Sequence, residues 1–170
     1  MLFRSVNCVP IEITFLLYHQ LIKNEVNEGF GPACNRAVRY TEGSELEGCD
    51  VFLLNNDTRL TDNALLLLRR ELYSADDIGA VGAISNYAGN KQQTEVEFDR
   101  AEGYVEYARS VNELKKYDSE ERVRLSGFAM LIRRSLWDDV GGFDEDFAPG
   151  YFEDDALTIA GLTESDVPSL

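Results

Sequence analysis

The sequence is poor in the residues on which most metalloenzymes and secreted domains depend. It has one histidine, His19, among 170 residues, which removes most histidine-based catalytic and metal constellations and leaves His19 a surface or partly buried role. The three cysteines, Cys8, Cys34 and Cys49, are odd in number, far apart and without a C-x-x-C pair. Neither a disulfide framework nor a zinc site is indicated, and they read as reduced thiols of a cytoplasmic protein. Basic residues are scarce too: 16 against 31 acidic ones give a net charge of −15, which repels a phosphate backbone, so nucleic acid is not expected as a partner. An acidic site that takes a phosphate ester does so through a bound cation, whose charge inverts the local electrostatics. Long apolar runs are missing as well. The richest early stretch, Ile13 to Ile22, is interrupted by Tyr18, His19 and Gln20; it is too short to span a bilayer, and no basic start leads into an apolar signal segment. At this length one domain with one core, residues 1–170, is expected.

What the chain does contain is organised around Val51-Phe52-Leu53-Leu54, four apolar residues that run directly into Asn55-Asn56-Asp57-Thr58. A strand buried on both faces reads this way, and in open α/β sheets the ligand crevice lies beyond the carboxyl ends of the strands, where Asp57 would stand. The same polar quartet also reads as a turn closed by local side-chain to backbone hydrogen bonds.

Along the chain, Ile11 to Leu17 is a strand or helix start, and Gly29-Phe30-Gly31-Pro32 is turn chemistry opening a helix with Ala33, Cys34, Ala37 and Val38 on one side. Thr61 or Asp62 can cap a helix through Leu65, Leu68 and Leu72, with Arg69 and Arg70 near its carboxyl end. Ile78 to Ile84 reads as a second strand, and right-handed crossover makes it a parallel neighbour of the first. Tyr104, Tyr107, Val111 and Leu114 recur at helical spacing, a stripe that reads as core in preference to a sugar platform. Phe128 to Ile132 forms another strand, and Ser135 caps a helix that stops at Gly141-Gly142.

Residues 143 to 155 carry six carboxylates in thirteen positions, with Phe143, Phe147, Tyr151 and Phe152 among them. Aromatic walls and neighbouring charges raise a carboxyl's proton affinity, so one member could be a general base. Acidic residues are also favoured in the first turn of a helix by its dipole, and Glu153 to Gly161 could be such a helix.

These clusters, in this order, resemble the family 2 glycosyltransferases of the GT-A fold. The likeness runs from about residue 20 to 157 and rests on four stretches: Asn27-Glu28-Gly29-Phe30-Gly31 with Asn35; the D-x-D-like Asn55-Asn56-Asp57; Gly127 to Arg134; and Gly141 to Phe147 followed by Glu153-Asp154. The resemblance implies a Rossmann-like α/β fold with a mostly parallel central sheet flanked by helices. It also implies metal-assisted, inverting transfer of a sugar from a nucleotide-diphosphate-sugar donor to a glycan or other hydroxyl acceptor, as in polysaccharide biosynthesis. Asp57 would hold Mg²⁺ or Mn²⁺ on the diphosphate; Asn35, Asn55 and Asn56 would contact the donor; Asp154, with Glu153 beside it, would be the base.

The chain departs from the pattern at Ala156 and Ala160, where relatives carry an acidic residue and an arginine. It also has only 26 residues ahead of Asn27, without the acidic nucleotide-reading segment. A partial GT-A domain of low activity, with an uncovered sheet edge that promotes self-association, is therefore expected. A catalytically inactive GT-A-like binding remnant and a GT-A-like nucleotidyltransferase are the alternative readings, although the second would show a Gly-rich basic loop near its start.

Overall fold

The computed structural model describes residues 2–6, 21–89, 91–114, 117–147 and 152–161, the first of these as backbone only. Cys8, His19 and the Ile11 to Leu17 stretch lie outside them. The elements in order are β1 (Leu2–Val6), α1 (Phe30–Arg39), β2 (Val51–Leu54), α2 (Ala64–Leu72), β3 (Ile78–Ala83), α3 (Ala101–Val111), β4 (Ser119–Arg122), β5 (Ala129–Ile132), α4 (Arg134–Val140), a 3₁₀ turn (Glu145–Phe147) and α5 (Glu153–Ala160). The fold is mixed α/β. No helix among the described residues is long and apolar enough to cross a membrane.

The five strands form one sheet in the order β2-β5-β3-β1-β4. The expected mostly parallel sheet is not what forms: only β1 with β3 is parallel, whereas β1 with β4, β2 with β5 and β3 with β5 are antiparallel. Strands β2 and β3 point the same way but are not neighbours, because β5 runs back between them. The reason lies in burial. Every residue of β3 and of β5 is buried, so these two strands take the centre of the sheet. Of β2 only Leu53 is buried and Leu54 is 44% exposed, so the run expected to be covered on both faces lies at the sheet edge.

Period-two alternation divides the core between the two faces. Ala129 and Leu131 join Val81 and Ile78 under Leu67, Leu68 and Leu72 of α2. Met130 and Ile132 point the other way, to Leu136, Trp137, Phe143 and Leu157, with Phe30 and Cys34 of α1 packed against them. The three α2 leucines are fully buried, and each contributes about 1.5 to 3 kcal/mol through removal of its side chain from water.

Helix starts differ from the sequence expectation. Asn63, at φ 65°, precedes α2, while Thr61 is buried and its hydroxyl accepts a hydrogen bond from Asn112 Nδ2 at 2.7 Å. Ser135 falls inside α4, which begins at Arg134. The Arg133 guanidinium ahead of it donates to the carbonyls of Leu72, Ala75 and Ile78. It thereby ties the end of α2 to the start of β3. Gly141 and Gly142 end α4 as expected, both in the left-handed region at φ 80° and 81°. The tyrosine stripe of α3 is not core: Tyr104, Tyr107 and Val111 are half-buried, and Phe98 covers the two rings, edge-on to Tyr104 with centroids 5.1 Å apart.

The carboxyl end of β3 is locked by Gln92, a fully buried amide. Its Nε2 donates to Ala83 C=O at 2.9 Å and its Oε1 accepts the Ser126 N–H at 2.6 Å, which joins β3 to the approach of β5. Gly82 makes room for it. A Cβ there would stand 2.7 Å from Gln92 Nε2 and 3.2 Å from Leu125 Cδ2. Gly82→Ala is expected to cost roughly 1 to 3 kcal/mol through overpacking and to lower the melting temperature by several degrees; unchanged melting would show that Gln92 can swing aside.

Candidate functional site

The site is built where β2 and β3 end and β5 begins, at one end of the sheet. Beyond β2, the Asn55 N–H donates to Phe128 C=O at 2.9 Å and Asn55 C=O accepts the Thr58 N–H at 3.0 Å. The polar quartet is therefore a tight turn, and it is also docked on the segment that enters β5. On the other side of that segment, Gly127 N–H donates to Asp154 Oδ2 at 2.8 Å. Gly127 is buried, and a Cβ on it would stand 3.4 Å from Asp154 Cβ. Two clusters far apart in sequence thus meet on either side of Gly127-Phe128.

Asp154 is half-buried in the first turn of α5. Its Oδ1 accepts the Asp155 N–H at 2.9 Å, so each carboxylate oxygen holds one backbone N–H. An ionised carboxylate has roughly four lone-pair sites. Half of that capacity fixes its orientation and the rest is available to a ligand hydroxyl. Asp155 pairs with Arg124 at 3.0 Å. Glu153 points elsewhere. It is buried, its Cβ lies near Gly31 of α1, and its Oε2 has no hydrogen-bond partner. Burial pushes the neighbouring Cys34 thiol up to about 11, and the Glu153 charge adds to that shift, so Cys34 is held protonated at neutral pH and is a poor nucleophile.

Asn35 stands with Glu153 behind the sheet and not at the strand ends. Its Nδ2 donates to Phe143 C=O at 2.8 Å and to Glu145 Oε1 at 3.0 Å, and its Oδ1 accepts the Phe143 N–H at 2.8 Å. The amide clamps the acidic loop to α1. The preceding Gly142 is required for the fit, since a Cβ there would stand 2.6 Å from Asn35 Oδ1.

Asn56 and Asp57 are exposed. Asp57 lines a cleft of about 300 Å³ between the strand ends and α3, shared with Ser85, Asn86, Arg100 and Tyr104. A larger groove of about 400 Å³ between α1 and β2 is lined by Phe30, Leu46, Phe52 and other mainly apolar side chains. It contains none of the candidate site residues. Among the described residues no three His, Cys, Asp or Glu side chains gather as a metal cage. The donor set at Asp57, one carboxylate with amides before it, fits a hard cation that takes most of its oxygens from phosphates and water.

No family model, curated protein or solved structure matches this chain.

The residues for which the sequence suggested no role are Gln92 and Ser126, which it hydrogen-bonds, and Arg59 and Arg100, which line the cleft; Gly127 was marked by the sequence, but its contact with Asp154 was not. Gln92 lies in a polar stretch that reads as loop, and nothing local marks its burial.

Proposed function

We propose that the chain transfers a sugar from a nucleotide-diphosphate donor to a hydroxyl acceptor such as a glycan, as a metal-assisted, inverting enzyme of the GT-A type. The observation that carries this reading is the hydrogen-bonded connection Asn55–Phe128, Gly127–Asp154. It sets the acidic strand end and the acidic helix start beside one another across two residues. That is the juxtaposition the chemistry needs: a diphosphate leaving group on one side and a base for the acceptor hydroxyl on the other.

In this reading Asp57 would hold Mg²⁺ or Mn²⁺, which would supply positive charge to stabilise a diphosphate leaving group. The amides of Asn55 and Asn56 donate to phosphate oxygens. Asp154, oriented by Gly127 and Asp155, accepts the acceptor's proton. Glu153 and Asn35 position the loop and helix that present it.

Calorimetric titration of nucleoside diphosphates with and without Mn²⁺ tests the reading. Binding is expected to depend on the metal in the parent. Asp57→Asn is expected to remove that dependence with little change in melting temperature, because Asp57 is exposed and, among the described residues, no hydrogen bond or ion pair engages its side chain. Metal-linked binding that survives Asp57→Asn would put the site elsewhere.

A further inference from the structure

The cleft beside Asp57 carries a charge pattern that a cation site alone does not explain. Among the arginines whose side chains are described, all but two are engaged. Arg36, Arg39, Arg109, Arg122, Arg124 and Arg134 form ion pairs. Arg133 donates to carbonyls and lies over the Tyr73 ring, and Arg69 and Arg70 lie over tyrosine rings. Among the described residues Arg59 and Arg100 have no such partner, and both line this one cleft. In a chain of net charge −15, two guanidinium groups that stay unpaired in the same cleft are out of keeping with the rest of the surface.

Two further features converge there. Helix α3 starts at the cleft, with Arg100 at its N-cap position and no side chain capping its first turn. The Gly103 N–H is taken by the Arg100 carbonyl at 3.1 Å, and the start of the helix, the positive end of its dipole, borders the cleft that Arg100, Ala101 and Tyr104 line. The ring of Tyr104, braced edge-on by Phe98, supplies an apolar wall. Asp57 and Asp99 also line the cleft, and neither pairs with the arginines. Carboxylates oppose an anion, but they accept hydrogen bonds from hydroxyl groups. Guanidinium groups and a helix start for an anionic group, carboxylates for hydroxyls and a ring edge for an apolar face together describe one ligand.

We propose that this cleft binds a sugar bearing a phosphate or carboxylate group. The anionic group would sit between Arg59, Arg100 and the start of α3, and the ring would lie along Tyr104. The proposal shares Asp57 with the transferase reading and would make the acceptor, or the sugar end of the donor, an anionic saccharide. It is tested without metal, so the two readings fail separately.

In EDTA, amide chemical shifts of the full chain are followed against glucose 6-phosphate, glucuronate, glucose and inorganic phosphate. One or both charged sugars are expected to bind, with shifts at Ser85, Asn86 and Tyr104, and the arm that responds identifies the anionic group. Glucose is expected to bind far more weakly. Arg59→Ala and Arg100→Ala should each weaken binding roughly ten- to a hundredfold, the range for one hydrogen bond to a charged group, and the double variant should abolish it. Both side chains are exposed, so the melting temperature should not move. Neither charged sugar binding better than glucose, inorganic phosphate binding as tightly as glucose 6-phosphate, or full binding by the double variant would each overturn the proposal.

Discussion

Asn35→Ala is expected to destabilise the protein by roughly 3 to 5 kcal/mol, on the basis of the cost of leaving buried polar groups unpaired. The side chain is 5% exposed and satisfies both backbone groups of Phe143, itself 2% exposed. Truncation strands a buried N–H and a buried C=O at about 1 to 3 kcal/mol each and opens a void against α1. For a chain of this size the melting temperature should fall by on the order of 10 °C. Asn35→Asp is expected to be no milder, since it keeps the acceptor for the Phe143 N–H but sets a carboxylate against Phe143 C=O and Glu145. Urea and thermal denaturation decide the matter. A variant as stable as the parent would mean that the acidic loop is held by the packing of Phe143 on Phe30 and Trp137 and not by the amide.

The second large effect concerns the proposed base. Asp154→Asn is expected to lower sugar transfer by about 10² to 10⁴-fold, the usual contribution of a general base, while donor binding is retained because the base meets the acceptor and not the diphosphate. The substitution also has a structural cost. An amide can accept only one of the two N–H groups that Asp154 now holds, from Gly127 and Asp155, and turns its NH₂ toward the other. The melting temperature must therefore be measured beside the rate. A loss of transfer with donor affinity intact separates chemistry from disorder. Full transfer in Asp154→Asn together with loss in Glu153→Gln would move the role to Glu153, whose unpartnered Oε2 is then the base.

Much of the fold was legible because local patterns decide it. The apolar runs at 51–54, 78–84 and 128–132 each hold a strand, Val51–Leu54, Ile78–Ala83 and Ala129–Ile132. The glycine pair at 141–142 ended α4 because each residue takes a positive φ there. The acidic start of α5 is where the helix dipole favours it. Helix caps were less legible. Thr61 has the chemistry of an N-cap, but it is used by Asn112 across the fold, and no local pattern reports such a partner.

By itself the sequence determined that the protein is mixed α/β, that three of its strands are short apolar runs, and that a polar cluster with Asp57 follows one of them while a second, acidic cluster opens a helix. These properties depend on residues within a few positions of one another, where side-chain periodicity and backbone preference act. Strand order and direction were decided only in the tertiary structure. An apolar run states how deeply a strand is buried but not which way its neighbour points, so the antiparallel insertion of β5 between β2 and β3 could not be read in advance. The same holds for the site. That Asp57 shares a cleft with Arg59 and Arg100, that Asp154 is held against Gly127, and that Asn35 clamps the acidic loop to α1 with Glu153 buried beside Gly31 depend on contacts between distant segments. Those contacts form only when the two apolar faces of the sheet are covered together.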